Sequence, residues 1–249
     1  MIDKEPAFNR LLGNYCCENS ETAVSKAKEV GLTVVNEGLF AISSNPVVVR
    51  QECPLVVGIT GLSGSGKDTI SNELVISGRY ELVKNHTTRE RRRRDVGSPY
   101  IYISIEEFED KIEKGDFIEY FLRGTEYMGM EKKAVDNVLE HGKTPIIRTG
   151  PQAIGKLQNL LPDIFVVSFF VIPQGWRDLQ KRLVARDIIN CAPRPKSEAR
   201  EDVRFRLERN KKLLEYIPEA NYLLVNRDGA IKEAINNIQT VLSNIKKIG

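Results

Sequence analysis

Three glycines, a lysine and a threonine fall within the nine positions from Gly61 to Thr69 of this 249-residue chain, in the run LVVGITGLSGSGKDT that begins at Leu55. Glycine lets successive backbone N–H groups converge with no Cβ in the way, which suits them to surround an anionic chain. A lysine at the end of such a loop can reach the phosphates of a nucleoside triphosphate, and a helix starting there adds the partial positive charge of its N-terminus. Leu55 to Ile59 is apolar and reads as a buried strand entering the loop, and the residues after Lys67 read as a helix leaving it. Strand, glycine loop and helix in that order form a phosphate-binding loop, so Gly61, Ser63, Gly64, Ser65, Gly66, Lys67, Asp68 and Thr69 are candidate contacts to ATP. Asp68 stands where Ser or Thr is common, and the hydroxyl comes one residue later, making Thr69 the candidate ligand of Mg²⁺.

A second stretch, NHTTRERRRRDVGSPYIYI from Asn85, holds five arginines with tyrosines at 100 and 102. Guanidinium groups bind phosphate bidentately and a tyrosine hydroxyl can add a hydrogen bond. Taken alone, the run is equally a solvated charge run or a nucleic-acid patch.

The elements that must position these residues are legible from periodicity. A helix is expected to follow Lys67 as far as Ser77, then a short strand at Tyr80 to Val83, a helix at 105 to 114 and another at 131 to 139. TPIIRT at 144 to 149 reads as a strand, and the continuous apolar run FVVSFFVI at 165 to 172 as a central parallel strand. Tyr222 to Val225 is the last strand, and the segment 230 to 247 is an amphipathic helix. Before the loop, residues 1–54 form an extension: a helix over 21 to 30, a hairpin of LTVVN and LFAIS, and a further strand at 47 to 49.

Composition is that of an ordinary globular protein, 41% hydrophobic and 29% charged, with 37 basic residues against 34 acidic ones. The net charge of +3 gives no reason to expect nucleic acid as a partner. There is no run of ~18 apolar residues and no apolar core near the N-terminus of a secretory signal, so the expectation is a cytoplasmic protein with no membrane association. Four cysteines without metal-ligand spacing, and only His86 and His141, argue against a metal cage built from protein side chains.

The chain resembles the guanylate kinase family from residue 55 to about 246, on four features: the phosphate loop, the T-T-R-x-x-R run at 87 to 92, GDFIEY from Gly115, and an arginine pattern near 181 to 206. The resemblance implies that Arg89, Arg92 and Tyr100 hold the phosphate of the acceptor nucleotide, with Tyr102 as the other tyrosine for that place. Glu119 matches the glutamate that hydrogen-bonds guanine N1 and N2, and Asn85 stands where a base-contacting serine is usual. Met128 replaces a phosphate-binding tyrosine, which Tyr127 is placed to compensate, and Met130 replaces a base-contacting hydroxyl. Arg148 and Gly150 stand at two usual aspartates, one near magnesium and one facing the base. KRLVAR makes Arg186 a lid arginine, VRFRL makes Arg206 the second, and Asn226 matches an asparagine near the adenine of ATP. Lys67, Arg89, Arg186 and Arg206 are the candidate catalytic residues.

The fold expected is α/β, the P-loop kinase fold: a central parallel sheet of about five strands flanked by helices. The guanylate-kinase-like domain is taken as 55–249, with an acceptor-binding insertion at 85–130 and a lid at 187–198. The function implied is ATP- and Mg²⁺-dependent phosphorylation of a nucleoside monophosphate, GMP or dGMP first. Two alternatives stand beside it: a kinase of a sugar bisphosphate such as ribose 1,5-bisphosphate, and a non-catalytic module that binds peptides. Small-molecule nucleotides are the expected partners, and an oligomer formed through the extension is left open.

Overall fold

The computed structural model describes residues 32–42, 53–91, 100–190 and 196–248. The expected helix at 21 to 30, the strand at 47 to 49 and Arg92 lie outside the described residues.

The chain opens with β1 (Leu32–Asn36) and β2 (Leu39–Ile42), followed by β3 (Leu55–Gly61), α1 (Lys67–Ile76) and β4 (Tyr80–Leu82). Next come β5 (Asn85–Thr87), β6 (Tyr100–Tyr102), α2 (Ile105–Glu113), β7 (Phe117–Arg123) and β8 (Glu126–Glu131). The last part holds α3 (Lys132–Glu140), β9 (Thr144–Arg148), β10 (Phe165–Pro173), α4 (Trp176–Asn190), α5 (Lys196–Leu213), β11 (Tyr222–Asn226) and α6 (Ile231–Ile248). Between β9 and β10 a 3-10 turn, Pro151–Lys156, runs into the one-turn helix Leu157–Leu160.

Seven strands share the main sheet in the order β1-β2-β11-β10-β3-β9-β4. From β11 to β4 every neighbouring pair is parallel, which is the five-stranded sheet expected. The difference is at the other edge, where β1 and β2 add antiparallel, β2 pairing with β11. The hairpin is thus continuous with the sheet that carries the phosphate loop. Its turn is tied down twice. Gly38, at φ +74°, accepts from Val225 N at 2.8 Å, and the Asn237 amide of α6 donates to Glu37 O at 2.8 Å.

Alternation along β10 explains why the sheet needs cover on both faces. Val166, Phe170 and Ile172 point to one core with Leu179, Leu183, Leu214 and Ile217. Val167, Phe169 and Val171 point to the other, where Ile70 and Leu74 of α1 meet Ala234, Ile238, Val241 and Leu242 of α6. Each fully buried Phe or Leu stabilises by about 1.5–3 kcal/mol relative to exposure. β3 lies between β10 and β9, so its carboxyl end opens at the point where the chain order departs to both sides, the usual place for a ligand crevice.

A second sheet, β6-β5-β8-β7, stands over that crevice. Its back is closed by α2, which begins at a Ser104–Glu107 capping box and sends Phe108 between the rings of Phe117 and Tyr127 at 4.4 and 5.0 Å. Gly129 is required there, since a Cβ would sit 2.8 Å from Phe108 and Phe117 ring atoms. Of the expected lid, residues 187–190 continue α4, 196–198 begin α5, and 191–195 lie outside the described residues. Among the described residues no helix is long and apolar enough to cross a membrane.

Candidate active site

The glycine loop leaves β3 through Gly61, at φ +144°, where a Cβ would stand 2.1 Å from the Val171 carbonyl oxygen. Gly66 caps α1 at φ +89°, and a Cβ there would lie 2.2 Å from Asn226 Nδ2. Both positions therefore admit glycine alone. The loop is fastened by polar side chains, Asn210 and Asn226 buried and Arg182 half-buried. Asn210 of α5 accepts from Ser63 N at 2.9 Å and donates to Ser63 O at 3.0 Å. Asn226 donates to Ser65 O at 2.8 Å, and Arg182 donates to Asn226 O at 2.9 Å and Ser65 O at 3.4 Å. Lys67 donates to Leu62 O at 3.4 Å, so its ammonium folds back over the loop. Asp68 and Thr69 are exposed in the first turn of α1.

Beside the loop, a cleft of about 460 Å³ runs to the second sheet. Lys67, Asp68 and Gly61 line its loop end; Asn85, Tyr100 and Glu119 line its far end. Glu119 of β7 is held by the Thr149 hydroxyl, which donates to its two carboxylate oxygens at 3.1 and 3.4 Å. Burial pushes the Glu119 carboxyl above its ordinary range, opposed by the Thr149 hydrogen bond and the charge of Lys156. The wall beside it is apolar: Phe121, Leu122, Met128 and Met130 face the same space. Arg148 reaches from β9 to Asp68 at 3.1 Å, while its carbonyl accepts from Asn85 Nδ2 at 3.4 Å.

The two threonines before Arg89 fix the end of β5. Thr87 Oγ1 donates to Tyr127 O at 3.0 Å and accepts from Arg89 N at 3.2 Å, and Thr88 Oγ1 accepts from Tyr127 N at 2.9 Å. The Arg89 guanidinium lies over the rings of Tyr100 and Tyr102 at 5.2 and 5.5 Å and donates to the Tyr102 hydroxyl at 3.3 Å. Both tyrosines thus flank Arg89, and Tyr100 is the one that lines the cleft.

The structure places the remaining candidates as follows. Tyr127 does not line the cleft: its ring stacks on Phe108 and its hydroxyl donates to Glu109 of α2 at 3.4 Å. On β8 the residues alternate, so with Tyr127 turned toward α2 it is Met128 and Met130 that face the cleft. Asn226 is buried under the loop, bonded to Ser65 rather than presented at an open base site. On α5, Arg206 is half-buried, and Arg209, one turn later, lines the cleft. Arg186 belongs to α4. Asn210, Arg182, Thr149 and Arg209 are the residues that sequence reading passed over. None of the four carried a local signal in the sequence.

Comparison with known proteins agrees with this geometry. The family model for guanylate kinase matches residues 53–245. The guanylate kinase of Clostridium tetani (strain Massachusetts / E88) is 31% identical over 191 residues, covering 76% of this chain and 85% of that protein. That of Clostridioides difficile (strain 630) is 30% identical over 194 residues, 77% of this chain and 88% of the relative. The crystal structure of guanylate kinase from Anaplasma phagocytophilum superposes with a TM-score of 0.57 at 18% identity, over 79% of this chain and 87% of that one, a likeness of fold. The chain belongs to the guanylate kinase family of nucleoside monophosphate kinases, on the P-loop kinase fold.

Proposed function

We propose that this enzyme phosphorylates GMP or dGMP at the expense of ATP. The observation that carries the reading is Glu119: a carboxylate fixed by Thr149 at the far end of a cleft whose near end is Lys67. A carboxylate accepts from two adjacent N–H donors, which is the pattern guanine presents on its N1–N2 edge. The loop suits the polyphosphate of ATP. Its glycines clear the backbone, and the buried Ser65 hydroxyl has no hydrogen-bond partner among the described residues, leaving a donor for a phosphate oxygen. In this reading Lys67 neutralises the β- and γ-phosphates, and Arg89, Arg92 and Tyr100 orient the acceptor phosphate in line. Arg186 and Arg206 close from the helices on either side of the lid. One bond forms, between an acceptor phosphate oxygen and the γ-phosphorus. One breaks, to the β–γ bridging oxygen, and ADP leaves with that electron pair.

Thr69 would hold Mg²⁺, which when bound spreads the negative charge of the phosphates. The reading makes residues 1–54 an accessory to the catalytic domain, with 85–130 as the acceptor-binding insertion, and places the enzyme in the cytoplasm with its nucleotide substrates. A sugar-bisphosphate acceptor is the second reading, favoured by Met130, which offers no hydrogen bond to a base, and by the extra positive charge of Arg148 and Arg209 in the cleft. The test is ADP release with ATP and Mg²⁺ across GMP, dGMP, AMP, CMP, UMP, dTMP and ribose 1,5-bisphosphate. Turnover confined to the guanine nucleotides is expected; turnover on the sugar bisphosphate alone would replace the proposal with the second reading.

A further inference from the structure

Among the cleft residues, Arg148 is bonded to both halves of the site. Its side chain is paired with Asp68 on the donor loop, and its carbonyl holds Asn85 on the acceptor sheet. The backbone dictates that location. Arg148 ends β9 in register with Ile59 of β3, so it stands one strand over from the glycine loop, at the carboxyl end where the crevice opens. Its side chain is 14% exposed, and its only guanidinium hydrogen bond among the described residues goes to a carboxylate that is itself 60% exposed. A pair open to water on one side contributes little to stability. A guanidinium offers five N–H donors in a fixed fork, matched to phosphate.

We infer that Arg148 is a phosphate-binding residue of the transfer step, held by Asp68 at the junction of donor and acceptor until phosphate oxygens displace that carboxylate. This rests on reading the cleft as a phosphoryl-transfer site. The charge developing on the transferring group then meets Lys67 from the loop side and Arg148 from the β9 side.

The experiment compares wild type with Arg148→Gln, Arg148→Lys, Asp68→Asn and the double variant Asp68→Asn/Arg148→Gln. Two readouts are used: calorimetric binding of inorganic tripolyphosphate, and single-turnover transfer to the best acceptor of the wild-type panel. Arg148→Gln should weaken tripolyphosphate binding at least tenfold and slow transfer at saturating substrates ~100-fold, in the range seen when one donor to a developing anion is removed. Arg148→Lys should recover part of the binding and little of the rate, because it keeps charge and loses the fork. Arg148→Gln should also be at least tenfold slower than Asp68→Asn. The inference is overturned if Arg148→Gln binds tripolyphosphate as wild type does. It is equally overturned if both single variants and the double variant share one defect, because Arg148 would then serve only to hold Asp68. Wild type silent toward every acceptor would remove the proposed function, and the tripolyphosphate comparison would still decide Arg148.

Discussion

The donor loop and the acceptor cleft are built by different means, and the difference bears on how freely the residues of each can vary. The loop is a backbone device. Gly61 and Gly66 admit no Cβ, and Asn210, Asn226 and Arg182 grip the loop through the main-chain groups of Ser63 and Ser65. A binding surface made of N–H groups has few residue identities to vary once its conformation is set. The cleft is a side-chain device on two short strands and one longer hairpin, and apart from glycines such as Gly129 a lining residue can be exchanged without moving the strand beneath it. Met128, Met130, Arg148 and Gly150, the departures that the sequence resemblance implies, all line it.

The sharpest way to break the comparison is at the loop. Lys67→Ala should lower transfer by at least ~10³-fold, since transfer relies on fixed positive charge rather than on a base. Acceptor binding in the absence of ATP should stay close to wild type. Gly66→Ala should lose ATP binding as well and lower the melting temperature by several degrees. Its Cβ meets the Asn226 amide at 2.2 Å, and strain of this kind costs about 1–3 kcal/mol. Calorimetric titration with ATP and with GMP separately reads both halves. An acceptor affinity that collapses with the loop variants would mean the two regions are not independently built.

In the cleft, Glu119→Gln should reduce kcat/KM for guanine acceptors by ~10–100-fold, the worth of a hydrogen bond to a charged group. It should not harm the fold. Burial raises the Glu119 pKa, so below the unfolded value both states are protonated and nothing is lost, whereas above the folded value the ionised side chain costs stability. Glu119→Gln should therefore melt no lower than wild type at pH 7.5. On the proposed reading it is the ionised carboxylate that holds guanine, so KM for GMP in the wild type should rise on acidification from a point above the ordinary carboxylate range, and this limb should vanish in the Gln variant. A pH-independent KM in wild type would take Glu119 out of base recognition.

How much of this could be read beforehand follows the same division. The loop, the five parallel strands and the helices around them were legible, because glycine spacing and apolar periodicity are local. The acceptor side was legible only through resemblance, and there the side of the strand mattered. Tyr127 and Met128 are adjacent in sequence, and nothing local says which faces α2; Phe108, packed against Tyr127, decides it. Asn210 was invisible for another reason: its partner, the Ser63 main chain, lies 147 residues away in sequence. Asn210→Ala would leave the Ser63 N–H and carbonyl without that side chain, a loss of about 1–3 kcal/mol where such groups remain buried. We expect a lower melting temperature and a several-fold higher KM for ATP, with KM for the acceptor changed less. An equal rise in both would show that Asn210 supports the cleft as much as the loop.

The smallest expected effect lies behind the acceptor sheet. His86 is buried on β5 with Nε2 3.5 Å from Glu131, and Glu131 is also paired with Lys111 of α2 at 2.7 Å. Burial holds the His86 pKa below its ordinary 6.5, against the pull of Glu131. The sign is opposite to that of Glu119. With a depressed folded value, the stability contribution is intact above the unfolded pKa and is lost as pH falls from about 6.5 toward the folded value, because only the unfolded chain takes up the proton there. Acidification from pH 7.5 to 5.5 should therefore destabilise the wild type through His86 while relieving the cost at Glu119. His86→Gln should flatten the first trend and Glu119→Gln the second. If the donor and acceptor halves are separately built, the acid-induced loss in wild type will appear first as faster amide exchange in β5 and β8, with the glycine loop unchanged. Loss of protection at the loop in the same pH range would mean that the two sheets open as one unit.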